Sequence, residues 1–167
     1  MHWWAAHGAS GVNFQNTEWL RTDTFYRDLD GNYQMHPKAY GIRAFDLGGR
    51  GRVESVAIEN KPELNLTAYA VSNATNLCVT IINKEHGASG RGAKVKILPG
   101  FTAKDAAVMV LAAREGGVEA TSGVTLGGGM ITNNAAWVGK WIPLEASTQG
   151  CVVTIAAASA AVVKISR

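Results

Sequence analysis

Residues 65–84 read NLTAYAVSNATNLCVTIINK, and this stretch decides the fold class. Over residues 65–72 the side chains alternate between two faces. One face carries Leu66, Ala68 and Ala70, and the other carries Thr67, Tyr69 and Val71. Such alternation is typical of a β-strand that buries one face. Residues 73–76 then supply the Asn-rich chemistry of a tight reversal, and a second apolar run follows at 77–84. The stretch therefore predicts a strand, a turn and a second strand.

Short apolar runs separated by turn residues continue through the rest of the chain. The predicted strands span residues 52–59, 65–72, 77–84, 94–98, 107–113, 124–131, 137–144 and 151–155, with a ninth at 161–166. Gly-rich segments such as 86–90 and 127–129 separate them. Many short strands at this spacing favour a β-sandwich or barrel. We predict a mainly β fold, an eight- to nine-stranded antiparallel β-sandwich.

The first 48 residues have a different character, and the composition changes at the GGRG sequence of residues 48–51. They predict a helix over 2–7, a short strand over 11–15, a loop, and a helix that opens at Pro37 and runs to 45. A lone strand followed by a helix needs neighbouring strands that this chain does not supply. We therefore expect residues 1–48 to belong to a larger α/β unit and residues 49–167 to form the sandwich.

Composition argues against several functional classes. The net charge of +3 comes from 16 basic and 13 acidic residues that are scattered along the chain, so no basic run indicates a nucleic-acid partner. The longest apolar stretch, 151–163, is shorter than the roughly 20 residues of a membrane span, and Thr154 and Ser159 interrupt it. The opening MHWW lacks the features of a secretory signal, so none is expected.

Cysteine and histidine give no sign of a metal or cofactor site. Cys78 and Cys151 lie in apolar surroundings without CxxC spacing, which favours buried free thiols and leaves a bridge as the alternative. No His-x-x-x-His spacing occurs among the histidines, which are therefore expected at the surface or in packing. They are His2, His7, His36 and His86. We predict no metal and no cofactor.

Two segments of the first 48 residues resemble a known family. Residues 2–16 read HWWAAHGASGVNFQN and residues 37–45 read PKAYGIRAF. Together they are similar to the end of the catalytic barrel of glycoside hydrolase family 79, the β-glucuronidase and heparanase relatives. The resemblance covers the whole chain: it implies that residues 1–48 are the last strand and helix of a (β/α)8 barrel, followed by a C-terminal β-sandwich.

The resemblance also implies where catalysis takes place. Enzymes of this kind are retaining hydrolases with two glutamates, about 5 Å apart, on earlier barrel strands. Both would lie upstream of Met1, so the chain alone is expected to be inactive. Glu18 and Asp23 follow the last predicted strand and are alternative carboxylates, although a solvated loop is the favoured interpretation of both.

Substrate contacts follow from the same resemblance. Tyr26 matches the tyrosine that hydrogen-bonds the uronate carboxylate, and Asn13 and Gln15 match polar contacts at the barrel mouth. Gln15 stands where many relatives carry histidine. The alternative for all three is a packing role. The implied partners are a uronate-containing glycoside and the missing part of the barrel, in the same polypeptide or as a separate chain, and the implied parent enzyme is secreted or periplasmic.

The tryptophans leave a second functional hypothesis open. Trp3, Trp4 and Trp19 are either a sugar-stacking platform or residues that pack against missing barrel helices, and packing is favoured. Trp137 and Trp141 lie four apart in a predicted strand and form either a binding surface or an aromatic seam between sandwich and barrel. The alternative function is a stand-alone carbohydrate-binding or structural β-sandwich module.

Overall fold

A computed structural model describes residues 1–14, 23–60, 63–114, 117–132 and 136–167. Its helices are α1 (His2–Ala6) and α2 (Pro37–Gly48), with a 3-10 turn at Gly117–Glu119. Its strands are β1 (Phe25–Arg27), β2 (Tyr33–Met35), β3 (Arg52–Glu54), β4 (Leu66–Ser72), β5 (Asn76–Asn83), β6 (Ala93–Ile97), β7 (Ala106–Ala113), β8 (Val124–Leu126), β9 (Ile142–Leu144), β10 (Ala146–Ser147), β11 (Gly150–Ile155) and β12 (Ser159–Ser166).

Two antiparallel sheets form the body of the fold. The larger has the order β3-β4-β5-β12-β7-β8, with β9 also paired to β7, and the smaller has the order β10-β11-β6. β12 lies between β5 and β7 in the middle of the large sheet, so the last segment of the chain joins strands that are distant in sequence. The mainly β sandwich predicted from the sequence is confirmed.

The inner core lies between the two sheets. Alternate residues of the large sheet, such as Ile81 and Val163, pack in one cluster with Val153 and Ile155 of the small sheet. All four are at most 3% exposed. The side-chain period of a strand is two, so a shift of one residue in the pairing of β5 with β12 would turn these side chains away from the core. Their burial therefore fixes that register.

Helix α2 covers the outer face of the large sheet. Its buried residues Tyr40, Ala44 and Gly48 recur every four positions and so share one side of the helix. Tyr40 and Ala44 form a second cluster with Met109 and Val162 of the sheet. Helix α2 confirms the predicted helix and extends it to residue 48. The division of the chain at residues 48–51 stays a prediction.

The N-terminal helix α1 confirms the helix predicted at residues 2–7, and its His2 side chain packs against α2 and β4. The His2 ring stacks on Tyr69 at 5.1 Å between ring centroids and meets the edge of Phe45 at 4.7 Å. The strand predicted over 11–15 is wrong for residues 11–14, which have no regular secondary structure. A single extended segment has no neighbour with which to form ladder hydrogen bonds in the part of the chain that the structure covers.

Three predicted strands are shorter than expected. The runs predicted at 52–59, 124–131 and 137–144 form strands only at Arg52–Glu54, Val124–Leu126 and Ile142–Leu144. After Leu126 the chain reverses, because the amide of Leu126 donates to the carbonyl of Gly129 at 3.0 Å. The Trp137 side chain then returns over this turn and donates from Nε1 to the carbonyl of Leu126 at 3.1 Å.

Both cysteines are free thiols, as expected. Cys151 is buried in the inner core, whereas Cys78 is partly buried and its thiol faces the carbonyl of Leu47 in α2. Cys78 therefore lies on the outer face of the large sheet, whereas Cys151, in the small sheet, points into the core between the sheets. Burial raises the pKa of both thiols, so neither is a ready nucleophile.

Candidate functional site

Strands β1 and β2 form a two-stranded hairpin where the sequence predicted only a loop. Tyr26 is paired with Gln34 in its register. The turn is organised by Asp28, whose Oδ1 accepts hydrogen bonds from the amides of Asp30 at 3.1 Å and Asn32 at 2.8 Å. The Asp-Gly-Asn sequence inside this turn is a signal from which the hairpin could have been predicted.

The Asp28 carboxylate also ties the turn to the second strand. Its Oδ2 accepts a hydrogen bond from the side-chain nitrogen Nε2 of Gln34 at 3.0 Å. This bond, with the one from the backbone of Asn32, holds the pKa of Asp28 below its usual range. Gly31 adopts φ +83°, a conformation that favours glycine, and completes the reversal. The turn therefore carries a fixed negative charge.

Tyr26 lies on one face of this hairpin and stacks on His36. Their ring centroids are 4.5 Å apart and their planes are 22° apart. The Nδ1 of His36 lies 3.1 Å from the backbone carbonyl of Asp23, and because a carbonyl only accepts, Nδ1 is the donor. The protonated Nδ1 fixes the orientation of the ring that supports Tyr26, and Tyr26 remains 36% exposed.

The opposite face of the hairpin is also exposed and aromatic. Tyr33 meets Phe25 edge to face at 5.7 Å between centroids, and the two are 42% and 39% exposed. Because successive side chains of a strand point to opposite sides, these rings lie across the hairpin from Tyr26. The structure thus presents an aromatic surface on each side.

The hairpin is held against the sandwich at its second strand. Gln34 forms a bridge with Thr132, and the Met35 side chain packs against the outer core. The amide of Ile131 donates to the Tyr40 hydroxyl at 3.0 Å, which places the segment after β8 beside the start of α2. A two-stranded hairpin is only marginally stable by itself. These contacts with the sandwich therefore stabilise it.

Only some of the sequence-predicted residues come together. Tyr26 belongs to the hairpin, whereas Asn13 is exposed and no hydrogen bond or ring contact joins it to the hairpin in the described ranges. Phe14 beside it lies 5.8 Å from the Lys38 ammonium. Gln15, Glu18 and Trp19 lie outside the described residues.

Two residues near the hairpin differ from the sequence interpretation. A solvated loop was the favoured interpretation of Asp23, but this residue is 1% exposed, so that interpretation is wrong. His36 was expected only as a surface or packed histidine, and its contact with Tyr26 was missed. A histidine directly before the helix-opening Pro37 is the one signal in the sequence for this position.

Neither a metal site nor a membrane helix was found in the described part of the chain. No group of three or more His, Cys, Asp or Glu side chains there is arranged to hold a metal ion. None of the helices resolved in it is long and apolar enough to cross a bilayer.

Trp137 and Trp141 contribute to packing on the outer face of the large sheet. Both pack against the cluster beneath α2. The Arg43 guanidinium lies 5.2 Å from the ring of Trp137, and the Lys164 ammonium lies 4.8 Å from the ring of Trp141. They therefore form a seam between helix and sheet, and each ring has a cation within the range of a cation–π contact.

Several solved structures share this fold at low sequence identity. An arabinofuranosidase matches with a TM-score of 0.58 and 14% identity, over 86% of this chain and 31% of its own. The alpha-L-arabinofuranosidase from Thermotoga maritima matches with a TM-score of 0.55 and 14% identity, over 87% and 32%. A family 30 subfamily 8 xylanase from Clostridium acetobutylicum matches with a TM-score of 0.52 and 17% identity, over 80% and 29%. The fold of this chain is therefore similar to that of part of each of these enzymes.

These likenesses show the fold of the chain alone. The chain spans about a third of the length of these enzymes. No protein-family model matches the sequence, and no curated protein matches it. The coarser part of the family resemblance is therefore confirmed, while the assignment to family 79 stays a prediction.

Proposed function

We propose that this chain is the C-terminal part of a retaining glycoside hydrolase similar to the β-glucuronidases of family 79. In this proposal the sandwich braces the catalytic barrel and the hairpin of β1 and β2 completes the sugar subsite. The two catalytic glutamates are supplied by the barrel, in the same polypeptide or as a separate chain. The chain alone is then inactive.

One observation carries the proposal, the exposed Tyr26 ring supported by His36. Its hydroxyl donates a hydrogen bond to a carboxylate, as recognition of a uronate requires. Its ring is held by the His36 stack, so little side-chain entropy is lost when a sugar binds. The fold shared with glycoside hydrolases adds support for a saccharide as the substrate class.

The distribution of exposed apolar side chains supports a barrel partner. Within the described residues, seven large hydrophobic side chains of the first 47, besides Tyr26, are at least 36% exposed. They are Trp3, Trp4, Val12, Phe14, Phe25, Leu29 and Tyr33. Contact with the rest of a barrel removes such surface from water, which is favourable at roughly 25 cal/mol per Å².

Kinetics of an active, upstream-extended polypeptide test the role of Tyr26. Tyr26→Phe keeps the ring and removes the hydroxyl, so we expect KM for an aryl β-glucuronide to rise about tenfold or more, the effect of one hydrogen bond to a charged group. Tyr33→Phe, on the opposite hairpin face, is the matched control and should leave KM within about twofold of the wild-type value. Equal KM values for the two variants would contradict the assignment.

A stand-alone carbohydrate-binding module is the second candidate. Trp3 and Trp4 favour it, because they are 51% and 56% exposed and meet edge to face at 5.0 Å. Exposed indole rings suit the C–H faces of sugars. Tryptophan fluorescence of the 167-residue chain distinguishes the two functions: a saccharide-induced change that Trp4→Ala abolishes would favour the module.

A further inference from the structure

The loop of residues 98–102 and the turn at Thr148 and Gln149 form an open cleft at one end of the sandwich. Its volume is about 360 Å³. Sites for small molecules begin at about 300 Å³, so a single sugar unit fits a space of this size. None of its lining residues belongs to the hairpin or to the outer-face cluster.

The two walls of the cleft are fixed to each other. Gly150 adopts φ +90°, and a Cβ at this position would lie 1.8 Å from the carbonyl oxygen of Ile97. Ile97 is also the ladder partner of Cys151. The turn carrying Thr148 and Gln149 therefore sits directly on the backbone from which the loop starts. A ligand meets walls that are already in place.

The floor of the cleft offers apolar surface held in position. Phe101 packs against the inner core, and the Arg167 guanidinium lies 5.0 Å from the centroid of its ring. Leu98 is 70% exposed beside Pro99. An exposed leucine with no covering side chain provides a surface for the C–H groups of a ligand.

Polar groups line the rim of this apolar floor. The side chains of Thr102, Thr148 and Gln149 line the cleft and make no hydrogen bond to other groups in the described part of the chain. Two hydroxyls and an amide supply donors and acceptors together, which is what sugar hydroxyls require. Among the described residues, those lining the cleft include no Asp, Glu, Lys or Arg.

We propose that this cleft binds a sugar unit of a polysaccharide. The apolar floor contacts its C–H face, and the threonine and glutamine side chains bond its hydroxyls. The Arg167 guanidinium beside the Phe101 ring can pair with a carboxylate, so the cleft accepts a neutral or an acidic sugar. The site is distinct from the hairpin and does not depend on the function proposed for it.

An NMR titration of the 167-residue chain tests the site. Cellobiose and xylobiose are the neutral probes, and methyl β-D-glucuronide is the charged one. We expect at least one of the three probes to shift the backbone amides of residues 98, 100–102 and 148–150. Shifts of the amides of residues 25–35 report on the hairpin instead, so failure of one site is distinguishable from failure of the other.

Variants assign the effect to the cleft. Thr148→Ala and Gln149→Ala should each weaken binding of that probe about fivefold, the effect of one hydrogen bond. Thr154→Ala changes an exposed threonine on β11, outside the cleft, and is the matched control that should bind as the wild type does. No shift of the cleft amides by any of the three probes, or equal binding by all three variants, would overturn the proposal.

Discussion

The imidazole of His2 joins the N-terminal helix to the body of the fold. It lies between Phe45 of α2 and Tyr69 of β4, and its Nε2 is buried without a hydrogen-bond partner among the described residues. Burial, with the positive charge of the Met1 amino group as a smaller cause, lowers the pKa of His2 to about 4. The packed histidine is therefore neutral, and it is the side chain that links α1 to the two rings.

Protonation of His2 should destabilise the fold in acid. In the unfolded chain the histidine binds a proton near its ordinary pKa of about 6.5, whereas in the folded chain it does so only near 4. The stability contributed by neutral His2 is complete above about pH 6.5 and is lost as the pH falls towards 4. Urea midpoints measured from pH 7 to pH 4 should fall more for the wild type than for His2→Phe.

His2→Phe is a suitable comparison because it keeps an aromatic ring between Phe45 and Tyr69 and has no proton to bind. Carboxylates with lowered pKa values also make stability depend on pH, such as Glu85, whose pKa is about 2 beside Arg91. Their contribution is the same in both proteins, so it cancels in the comparison. Parallel pH profiles for the two proteins would contradict the role assigned to His2.

At the scale of the element, α2 depends on a close approach at one glycine. A Cβ on Gly48 would lie 2.7 Å from the Thr80 hydroxyl oxygen and 3.1 Å from Val162 Cγ1, whereas a Cβ on Gly41 would meet no atom within 4 Å. The two glycines of the helix therefore have opposite effects on stability. Gly48 permits close contact with the sheet, whereas Gly41 only lowers the stability of the helix.

The same substitution should act with opposite sign at the two positions. Gly41→Ala should raise the free energy of unfolding by about 0.5–1 kcal/mol, because alanine favours the helix. Gly48→Ala should lower it by about 1–3 kcal/mol, because the added methyl group overpacks the interface with β5 and β12. Urea unfolding of both variants measures the difference, and destabilisation by Gly41→Ala would show that its surroundings are misassigned.

Sequence patterns predicted the elements that carry their own periodicity. The alternation in β4 and β5 and the Pro37 start of α2 were sufficient for those elements, and Asn73 does form the expected turn, accepting from the amides of Thr75 and Asn76. The hairpin of β1 and β2 was missed because its strands have three residues each, too few for alternation to show. The His36 contact with Tyr26 was missed because it joins residues ten apart through tertiary structure.

At the scale of the whole molecule, the sequence indicated a sandwich but not the order of its strands. β12 separates β5 from β7, a pairing determined by which faces become buried across the two sheets and by no local signal. The N-terminal segment behaves differently from this body. Its rings are exposed, and residues 11–14 have no strand structure. Under the proposed function, the partners of this segment lie in the barrel.

Hydrolysis of an aryl β-glucuronide tests the central claim most directly. It should be measured for the purified 167-residue chain and for a polypeptide extended upstream in the source DNA by the length of a barrel. The proposed division of labour predicts activity in the extended polypeptide and none in the 167-residue chain. Activity of the 167-residue chain, or none in the folded extended polypeptide, would contradict it.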